Sequence, residues 1–263
     1  EKLIACPSYN YCDVYGSPVK SFPYYIATGY HRLKSTCKTT YQSSDSIVEK
    51  SVFAYDTERP YNIISKSSLC SGGAEQVERT YYSNNTIPDK ESLTASQRSA
   101  IQLLTSRNYL TTPVQQTMEK KDKRLYSVLR GYSSSLSSGM VVEDQYYCKG
   151  TDKYEKRISY NKYDIYGNPV YINKDGAEKV VYLWGYKGQY LLAEIKGATY
   201  EEVKKALTMD PASMSSCILP SMPLYLDMID NLYKALPSAL ITSYTYHPLI
   251  GISGIISPNK AKT

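Results

Sequence analysis

Short runs in which apolar and polar residues alternate dominate this chain. From Ser51 the run SVFAYDTERPYNIISKSSL places Val52 and Ala54 before a polar turn, and Ile63 and Ile64 after it. The next patterned segment, VERTYYSNN, alternates again. A period of two residues is typical of strands with one buried face, and polar turns between such runs are typical of hairpins. The pattern predicts an antiparallel meander.

The best-defined hairpins are predicted between residues 154 and 196. A strand through Tyr163 precedes a turn at residues 164–167, and a second strand runs through Ile172. The turn Asn173-Lys174-Asp175-Gly176 follows, and then the run KVVYLWGYKGQYLLAEI, in which residues 185–188 form a third reversal. Glycine and Asp/Asn residues between apolar runs favour tight turns.

Two short amphipathic helices are predicted from capping signals. Thr94 is followed three residues later by Gln97, and Thr199 by Glu202. A Thr with Gln or Glu three residues on is the capping-box pattern of a helix start. The second of these helices is expected over residues 199–209. Their apolar stripes are Ile101, Leu104, Val203, Ala206 and Leu207.

A third helix is predicted from Pro223 to Leu236, with Ser221 as its cap. Its apolar residues recur at helical spacing and form one stripe. We expect this stripe to pack, with that of the second helix, on a sheet that contains residues 180–186. The stripe residues are Leu224, Met228, Ile229, Leu232 and Leu236.

One eleven-residue spelling occurs twice. YNYCDVYGSPV lies within the first twenty residues, and YNKYDIYGNPV follows 151 residues later, with seven of eleven positions identical. In the shared Asp-x-Tyr-Gly, the carboxylate can accept hydrogen bonds from backbone amides two or three residues ahead, and glycine supplies a positive φ. We therefore predict two hairpin turns, at Asp13 to Gly16 and at Asp164 to Gly167.

Tyrosine is the compositional anomaly, with 29 Tyr against 2 Phe and 1 Trp. Tyr182, Trp184, Tyr186 and Tyr190 are concentrated in one hairpin, and strand alternation places the first three on one face. Two interpretations are open. Exposed rings on a sheet can stack on sugars, which predicts a ligand-binding surface. Alternatively the same face is the packed core or a helix contact, because a single Trp is usually buried.

The charge pattern argues against nucleic acid as a partner. The net charge is +6, but the 31 Lys and Arg are interspersed with 25 acids. The densest basic patch, Glu119–Arg124, contains two acids, and a solvated turn explains it. The longest apolar run, residues 248–256, is too short and too rich in Gly to cross a bilayer, so no membrane span is expected.

The cysteines and histidines give little support for a metal site. Six cysteines contain no C-x-x-C pair, and His31 and His247 are far from each other and from other candidate ligands. Zinc sites need clustered ligands, so we expect neither a metal nor a cofactor. If the chain is exported, Cys6 and Cys12 are the nearest pair for a disulfide; otherwise free buried thiols are expected.

No catalytic arrangement is evident, and we expect no enzymatic activity. The candidate acid/base carboxylates for sugar hydrolysis are Asp227, Asp230, Glu201 and Glu202. All four fall on predicted helices, where carboxylates normally occupy the solvated face. No G-x-S-x-G elbow occurs, and neither histidine accompanies a Gly-framed cysteine.

The turn motif also carries a family resemblance. The spelling Tyr163-Asp164-Ile165-Tyr166-Gly167-Asn168, with Tyr55-Asp56 as a weaker relative, resembles the YD repeat of the RHS family of secreted bacterial proteins. Residues 182–203 and 235–254 are similar to a region of large RHS-like proteins of gut-type bacteria, and the best match covers residues 154–254. Only two good copies of the repeat occur, with helices between them, which favours a decorated sheet segment over a regular closed shell.

The resemblance implies a mainly β fold: an antiparallel meander of YD-repeat-like hairpins with two or three short packed helices. It implies one β-rich segment over residues 1–263, with a sub-boundary near 90–110, inside a larger protein; the ending Ser257-Pro258-Asn259-Lys260 directly after a patterned strand agrees with a trimmed piece. Open sheet edges are then expected where neighbouring units pair.

The implied function is a non-enzymatic scaffold or shell in a secreted, cell-surface or periplasmic protein, and no catalytic residue comes with the resemblance. Its partners are flanking repeats of the parent chain or an encapsulated or attached module. The alternative is a carbohydrate- or protein-binding surface module that uses exposed Tyr and Trp, with glycans as partners.

Overall fold

The computed structural model describes residues 2–5, 25–28, 31–42, 45–69, 73–136, 139–216, 222–247 and 249–258. The helices in this part of the chain are α1 (Ala95–Ser106), α2 (Tyr200–Leu207) and α3 (Met222–Ala235). The strands are β1 (Lys2–Ala5), β2 (Tyr25–Thr28), β3 (Ser35–Gln42), β4 (Asp45–Tyr55), β5 (Ile63–Leu69), β6 (Glu75–Tyr82), β7 (Pro113–Lys120), β8 (Lys123–Leu136), β9 (Gly139–Lys149), β10 (Glu155–Tyr163), β11 (Pro169–Lys174), β12 (Glu178–Gly185), β13 (Tyr190–Lys196), β14 (Leu240–His247) and β15 (Gly251–Ile256).

Thirteen of these strands form one antiparallel sheet in chain order. Each strand from β3 to β14 pairs with the strand that follows it, and β1 pairs with β2 in a separate ribbon. The predicted fold class, a mainly β antiparallel meander with a few short helices, is confirmed. Since β6 pairs with β7 across α1, the sheet is continuous through the region near residues 90–110.

The sheet has two open edges within the described chain. There β3 pairs only with β4, and β15 pairs only with β14. The edge strands therefore present backbone N–H and C=O groups without a strand partner on their outer sides.

The turns follow the local sequence signals. Asp175 and Gly176 have φ of 48° and 71°, and the next reversal holds Tyr186, Lys187 and Gly188 at positive φ. The basic patch around residues 119–124 lies at the β7–β8 turn, as predicted, where Lys121 and Asp122 are exposed and left-handed.

Both predicted capping boxes are present. In α1 the Thr94 hydroxyl accepts from the Gln97 amide at 3.2 Å, and the Gln97 side chain accepts from the Thr94 amide at 3.2 Å. The same reciprocal pair joins Thr199 and Glu202 at the start of α2. Helix α2 ends at Leu207, two residues before the predicted end, because Thr208 adopts a left-handed conformation with φ of 56°. Ser221, the predicted cap of α3, lies outside the described residues.

Two apolar clusters hold the helices on the sheet. In the first, the α2–α3 core, the two helices pack on β12, β13 and β14, as predicted. Its buried residues are Val181, Leu183, Leu192, Ala193, Ile195, Ala198, Val203, Leu207, Met214, Ile229, Leu232 and Ile241. In the second, the α1 core, α1 packs on β7, β8 and β9. Its buried residues are Ile87, Leu93, Ala100, Ile101, Leu104, Val114, Leu129, Tyr132 and Tyr146.

Helix α1 and the pair α2 and α3 pack on the same face of the sheet. Asp144, which bonds to α1, is paired across the strands with Ser159, and Ser159 is paired with Asn173. Tyr171, two residues before Asn173, shares its face and pairs with Val181 of the α2–α3 core. We call this side the helix face and the other side, which carries no helix among the described residues, the open face.

Candidate functional site

The turn at Asp164 has the predicted geometry. Its Oδ1 accepts from the backbone amides of Tyr166 at 2.9 Å and Asn168 at 2.8 Å, and its Oδ2 accepts from the Asn168 side chain at 3.0 Å. Gly167 has φ of 86°. The buried carboxylate therefore organises the hairpin between β10 and β11. The matching residues Asp13 and Gly16 lie outside the described part of the chain.

Asp56, in the weaker relative of the motif, organises its turn in the same way. Its Oδ1 accepts from the amides of Glu58 at 2.8 Å and Arg59 at 2.9 Å, and its Oδ2 accepts from Asn85 Nδ2 at 3.0 Å. The Arg59 amide first, and then the Asn85 side chain, lower the pKa of Asp56. A Tyr-Asp pair at the end of a strand thus builds a carboxylate-centred turn twice.

An aromatic side chain ties together the two strands of six hairpins: β3–β4, β5–β6, β7–β8, β9–β10, β11–β12 and β13–β14. It lies towards the end of the second strand and donates to a backbone carbonyl near the start of the first. We call this interaction the aromatic clasp. The donor–acceptor pairs are Tyr55–Leu33 (3.0 Å), Tyr82–Ile63 (3.0 Å), Tyr132–Pro113 (2.8 Å), Tyr163–Val142, Trp184–Pro169 (2.8 Å) and Tyr246–Leu191 (2.8 Å).

Sequence reasoning missed the clasp. Helix α1 lies between the second and third hairpins, and α2 and α3 lie within the sixth, so the clasp residues have no constant spacing. The recoverable signal is a Tyr or Trp followed by a turn residue at the end of a patterned strand. Tyr163-Asp164 and Tyr55-Asp56 show it clearly, whereas Trp184-Gly185 and Tyr246-His247 do not share the letters.

The structure divides the four aromatic residues predicted as a stacking surface. Tyr182 and Trp184 alternate with Val181 and Leu183 of the α2–α3 core, so they lie on the open face. Both are half-buried, and Trp184 is engaged in its clasp. Burial and the neighbouring Glu194 raise the pKa of Tyr182 to about 12.

Tyr186 does not share that face, which corrects the expectation from strand alternation. Strand β12 ends at Gly185, Tyr186 has φ of 51°, and its ring packs against the α2–α3 core. Tyr190 lies between two other rings, 5.1 Å from Tyr186 and 4.7 Å from Tyr246 by ring centroids. The four residues therefore form no single platform.

A different aromatic patch lies on the open face. Tyr126 and Tyr147 stack with centroids 6.0 Å apart, and the Arg157 guanidinium lies 5.9 Å from the Tyr147 centroid. Arg157 also pairs with Asp175 at 3.0 Å and with Glu155 at 2.7 Å. A shallow depression of about 380 Å³ adjoins these groups. Its lining residues are Gln145, Tyr147, Arg157, Ile158, Lys174 and Asp175.

Two buried polar networks lie under and beside α1. In the first, Tyr154 Oη lies 2.9 Å from Asp89 Oδ2 and 2.6 Å from Ser127 Oγ, and Arg124 Nη1 contacts Asp89 at 2.6 Å. Gln115, fully buried, donates to Ser127 at 3.0 Å. Burial is the main cause of the raised pKa of Tyr154. This network anchors the segment before α1 on the sheet.

The second network centres on Asp144. Its carboxylate accepts from Gln97 at 3.0 Å, Tyr146 at 3.2 Å and Ser159 at 2.9 Å, and Lys156 Nζ lies 2.9 Å away. The hydrogen bond to Asp144 is the main cause of the raised pKa of Lys156. Every carboxylate oxygen is engaged, so the arrangement positions α1 on β9 and β10.

The candidate carboxylates for hydrolysis do not form a paired site. Asp227, Asp230 and Glu201 are exposed on their helices. Glu202 caps α2, and the Thr199 backbone amide is the first cause of its lowered pKa. A carboxylate whose charged form is stabilised in this way is a poor proton donor near neutral pH.

Thiols and imidazoles are dispersed in the part of the chain that is described. Cys37 is exposed and Cys148 buried, and neither forms a disulfide. His31 and His247 are both exposed. Cys6, Cys12, Cys70 and Cys217 lie outside the described residues. Among those that are described, no group of three or more metal-ligating side chains occurs.

No family model matches the sequence, and no curated protein matches it significantly. A membrane-crossing helix would need a longer apolar stretch than any described helix provides.

Proposed function

We propose that this chain is a non-enzymatic structural segment of a larger secreted or surface-associated RHS-like protein, where it forms part of a scaffold or shell. The observation that carries the proposal is the run of six clasped hairpins in one unbroken sheet, whose two edges have no further strand in the described part of the chain.

The repeating geometry supports a scaffold role. Each hairpin pairs only with its neighbours in the chain, so the sheet grows by addition of similar units, as repeat proteins do. The clasp joins the two strands of a unit through a side chain, independently of the turn that connects them. A unit built in this way tolerates insertions such as α1 or α2 and α3 without loss of the sheet.

The edges support a partner on either side. β15 has the sequence GISGII, with no charge or proline to discourage pairing. Natural edge strands normally carry such features, because open edges attract other strands. In the proposed parent protein, flanking repeats cover both edges, and the open face is available to an encapsulated or attached module.

Hydrogen exchange tests this proposal. We expect the amides of β3 and β15 to exchange fast in this chain and slowly in the full polypeptide that its gene encodes. The central strand β8 serves as the internal control and should exchange equally in both. The proposal fails if the encoded polypeptide is no longer than this chain, or if both edges exchange equally fast in the longer protein.

The open-face depression favours carbohydrate binding as a second candidate. The Tyr147 ring, which stacks with Tyr126 and contacts Arg157, lines this depression, and Gln145 and the Arg157–Asp175 pair offer planar polar groups at its rim. Aromatic faces bind the C–H surface of a sugar, and planar polar groups bind its hydroxyls. This site replaces Tyr182 and Trp184 as the stacking candidate.

A glycan array with matched variants tests the second candidate. Binding by the unmodified chain should be lost in Tyr147→Ala and retained in Tyr41→Ala, whose ring is 81% exposed on β3. Absence of binding to any glycan, or equal binding by both variants, removes this candidate and leaves the scaffold proposal unaffected.

A further inference from the structure

The clasps follow a constant stagger across the sheet. Ala54, just before the clasp residue Tyr55, pairs with Ser65 of the next strand, and the next acceptor, Ile63, lies two residues before Ser65. The same rule holds at every later junction between clasped hairpins. At these junctions the residue just before the clasp residue pairs with a residue that lies two positions after the next acceptor. The pairs are Tyr81–Gln115, Gly131–Asp144, Lys162–Tyr171 and Leu183–Ala193, and the corresponding acceptors are Pro113, Val142, Pro169 and Leu191.

Applied once more, the rule identifies an acceptor on the edge strand. Thr245, just before the clasp residue Tyr246, pairs with Gly254 of β15. The carbonyl two residues earlier belongs to Ile252. In the described chain β15 has no second strand beside it and so no clasp donor. Its place in the pattern is that of the first strand of a hairpin.

We propose that the free edge of β15 is a docking site for an antiparallel strand that ends in Tyr or Trp, whose O–H or N–H donates to the Ile252 carbonyl. This inference rests on the proposed scaffold function and names the partner of one edge. We assign this strand to the flanking repeat of the proposed parent polypeptide.

The apolar surface at this edge fits such a strand. Ile252 is 56% exposed, and Leu249 and Ile250 at the neighbouring hairpin tip are 100% and 85% exposed. A paired strand would add backbone hydrogen bonds along β15 and bring side chains against these residues.

A second copy of this chain does not meet the requirement. β3 and β15 are separated by twelve antiparallel steps and therefore run in the same direction, so head-to-tail stacking would create a parallel junction that breaks the pattern. Pairing of β15 with β15 of a second copy would be antiparallel, but the strand contains no Tyr or Trp to act as donor. The clasp can be completed only by a different strand.

A synthetic peptide supplies the probe. The sequence EQVERTYYS, residues Glu75–Ser83, is a second strand that ends in the clasp residue Tyr82 and carries charges for solubility. We expect it to slow exchange of the β15 amides. Tyr82→Phe in the peptide removes the clasp hydroxyl and should weaken binding about fivefold, the equivalent of about 1 kcal/mol.

Two controls distinguish the clasp from general edge pairing. Tyr81→Phe in the peptide removes a hydroxyl from the other face of the strand and should leave the affinity unchanged. A strand added at the β3 edge would form a junction between two hairpins, and such junctions contain no clasp. Any protection of the β3 amides by the peptide should therefore not depend on the Tyr82 hydroxyl.

Several results would overturn the inference. They are absence of protection on β15, equal affinity of the Tyr82→Phe peptide, or concentration-dependent protection of β15 without peptide, which would identify a second copy as the occupant. The full polypeptide is measured separately. If the β15 amides are protected in the full polypeptide but not by the peptide, the scaffold proposal stands. The inference that the partner strand carries a clasp residue is then wrong.

Discussion

The two cores on the helix face are built from different chemistry. The α2–α3 core is filled by aliphatic side chains, and the buried polar groups near it are the hydroxyls of Ser215 and Ser243. The α1 core instead adjoins buried amide and carboxylate groups, among them Gln97, Gln115 and Asp144. One sheet thus holds its helices in two ways.

The two kinds of core contribute differently: apolar burial mainly stabilises the fold, whereas buried hydrogen bonds mainly fix the position of the helix. Apolar burial is roughly proportional to area and sets no direction, so the α2–α3 core depends mainly on volume and on exclusion of charge. Hydrogen bonds are directional, and a buried donor without a partner is costly. At Gly131 an added Cβ would lie 2.4 Å from Gln97 Cδ, so α1 lies as close to the sheet as a glycine allows. Both this close contact and the hydrogen bonds of Gln97 therefore fix the position of α1.

The largest effect is expected when a charge enters the aliphatic core. Ile229 is 1% exposed among Leu and Val side chains, and Ile229→Asp would bury an unpaired carboxylate. We expect the variant to unfold or aggregate, and Ile229→Ala to lower the free energy of unfolding by about 2–5 kcal/mol. Asp230→Asn, at an exposed neighbour, is the matched control. A soluble Ile229→Asp protein with unchanged melting would contradict the packing.

A loss of about 3 kcal/mol is expected when the second polar network is broken. Asp144→Ala removes the acceptor that Gln97, Tyr146 and Ser159 share and the ion-pair partner of Lys156, and only Gln97 and Tyr146 keep a second acceptor, at Glu143 and Gln97. Urea unfolding measures the change. Glu155→Ala, which removes an exposed carboxylate from Arg157, should cost well under 1 kcal/mol. Equal losses in the two variants would show that the network adds nothing to stability.

A smaller, pH-dependent effect is expected at Tyr154. Its Oη contacts Asp89 and Ser127, so Tyr154→Phe should cost about 1 kcal/mol at neutral pH. Since the folded protein raises the pKa of Tyr154 above its usual value of 10.0, its contribution is complete below pH 10 and is lost as the pH rises further.

The stability gap between the unmodified chain and Tyr154→Phe should therefore narrow above pH 10. Chemical unfolding at several alkaline pH values measures it. Tyr41→Phe, at an exposed ring of β3, should show no such gap at any pH. A gap for Tyr154→Phe that widens above pH 10 would reverse the predicted sign.

The smallest effect compares the two helix caps. The α1 cap uses the neutral Gln97, whereas the α2 cap uses Glu202, whose pKa is lowered from 4.5. The contribution of Glu202 is present above pH 4.5 and is lost as the pH falls through its lowered pKa. After correction for the intrinsic rate, exchange at the start of α2 should increase in acid relative to α1. Glu202→Gln should abolish this difference, and a persistent difference in that variant would exclude the cap as its cause.

Much of the fold was predictable because its signals are local. The Asp164 turn, both capping boxes and the stripe of α3 depend on residues within a few positions of each other. The faces on which the aromatic residues lie could not be predicted from the sequence. Tyr186 leaves the face of Tyr182 because the strand ends one residue earlier, and the period-two pattern does not report where a strand stops.

The sequence by itself determined which segments become strands, where several turns and helix caps form, and that the fold is an antiparallel meander. Only the tertiary structure decided that Gln97 meets Asp144, that Tyr147 contacts Arg157 on the open face, and that six alternate hairpins carry an aromatic clasp. The physical reason is that these interactions depend on strand register. Register is set by the summed pairing of whole strands and their bulges, so residues far apart in the chain meet in ways that no short window of sequence contains.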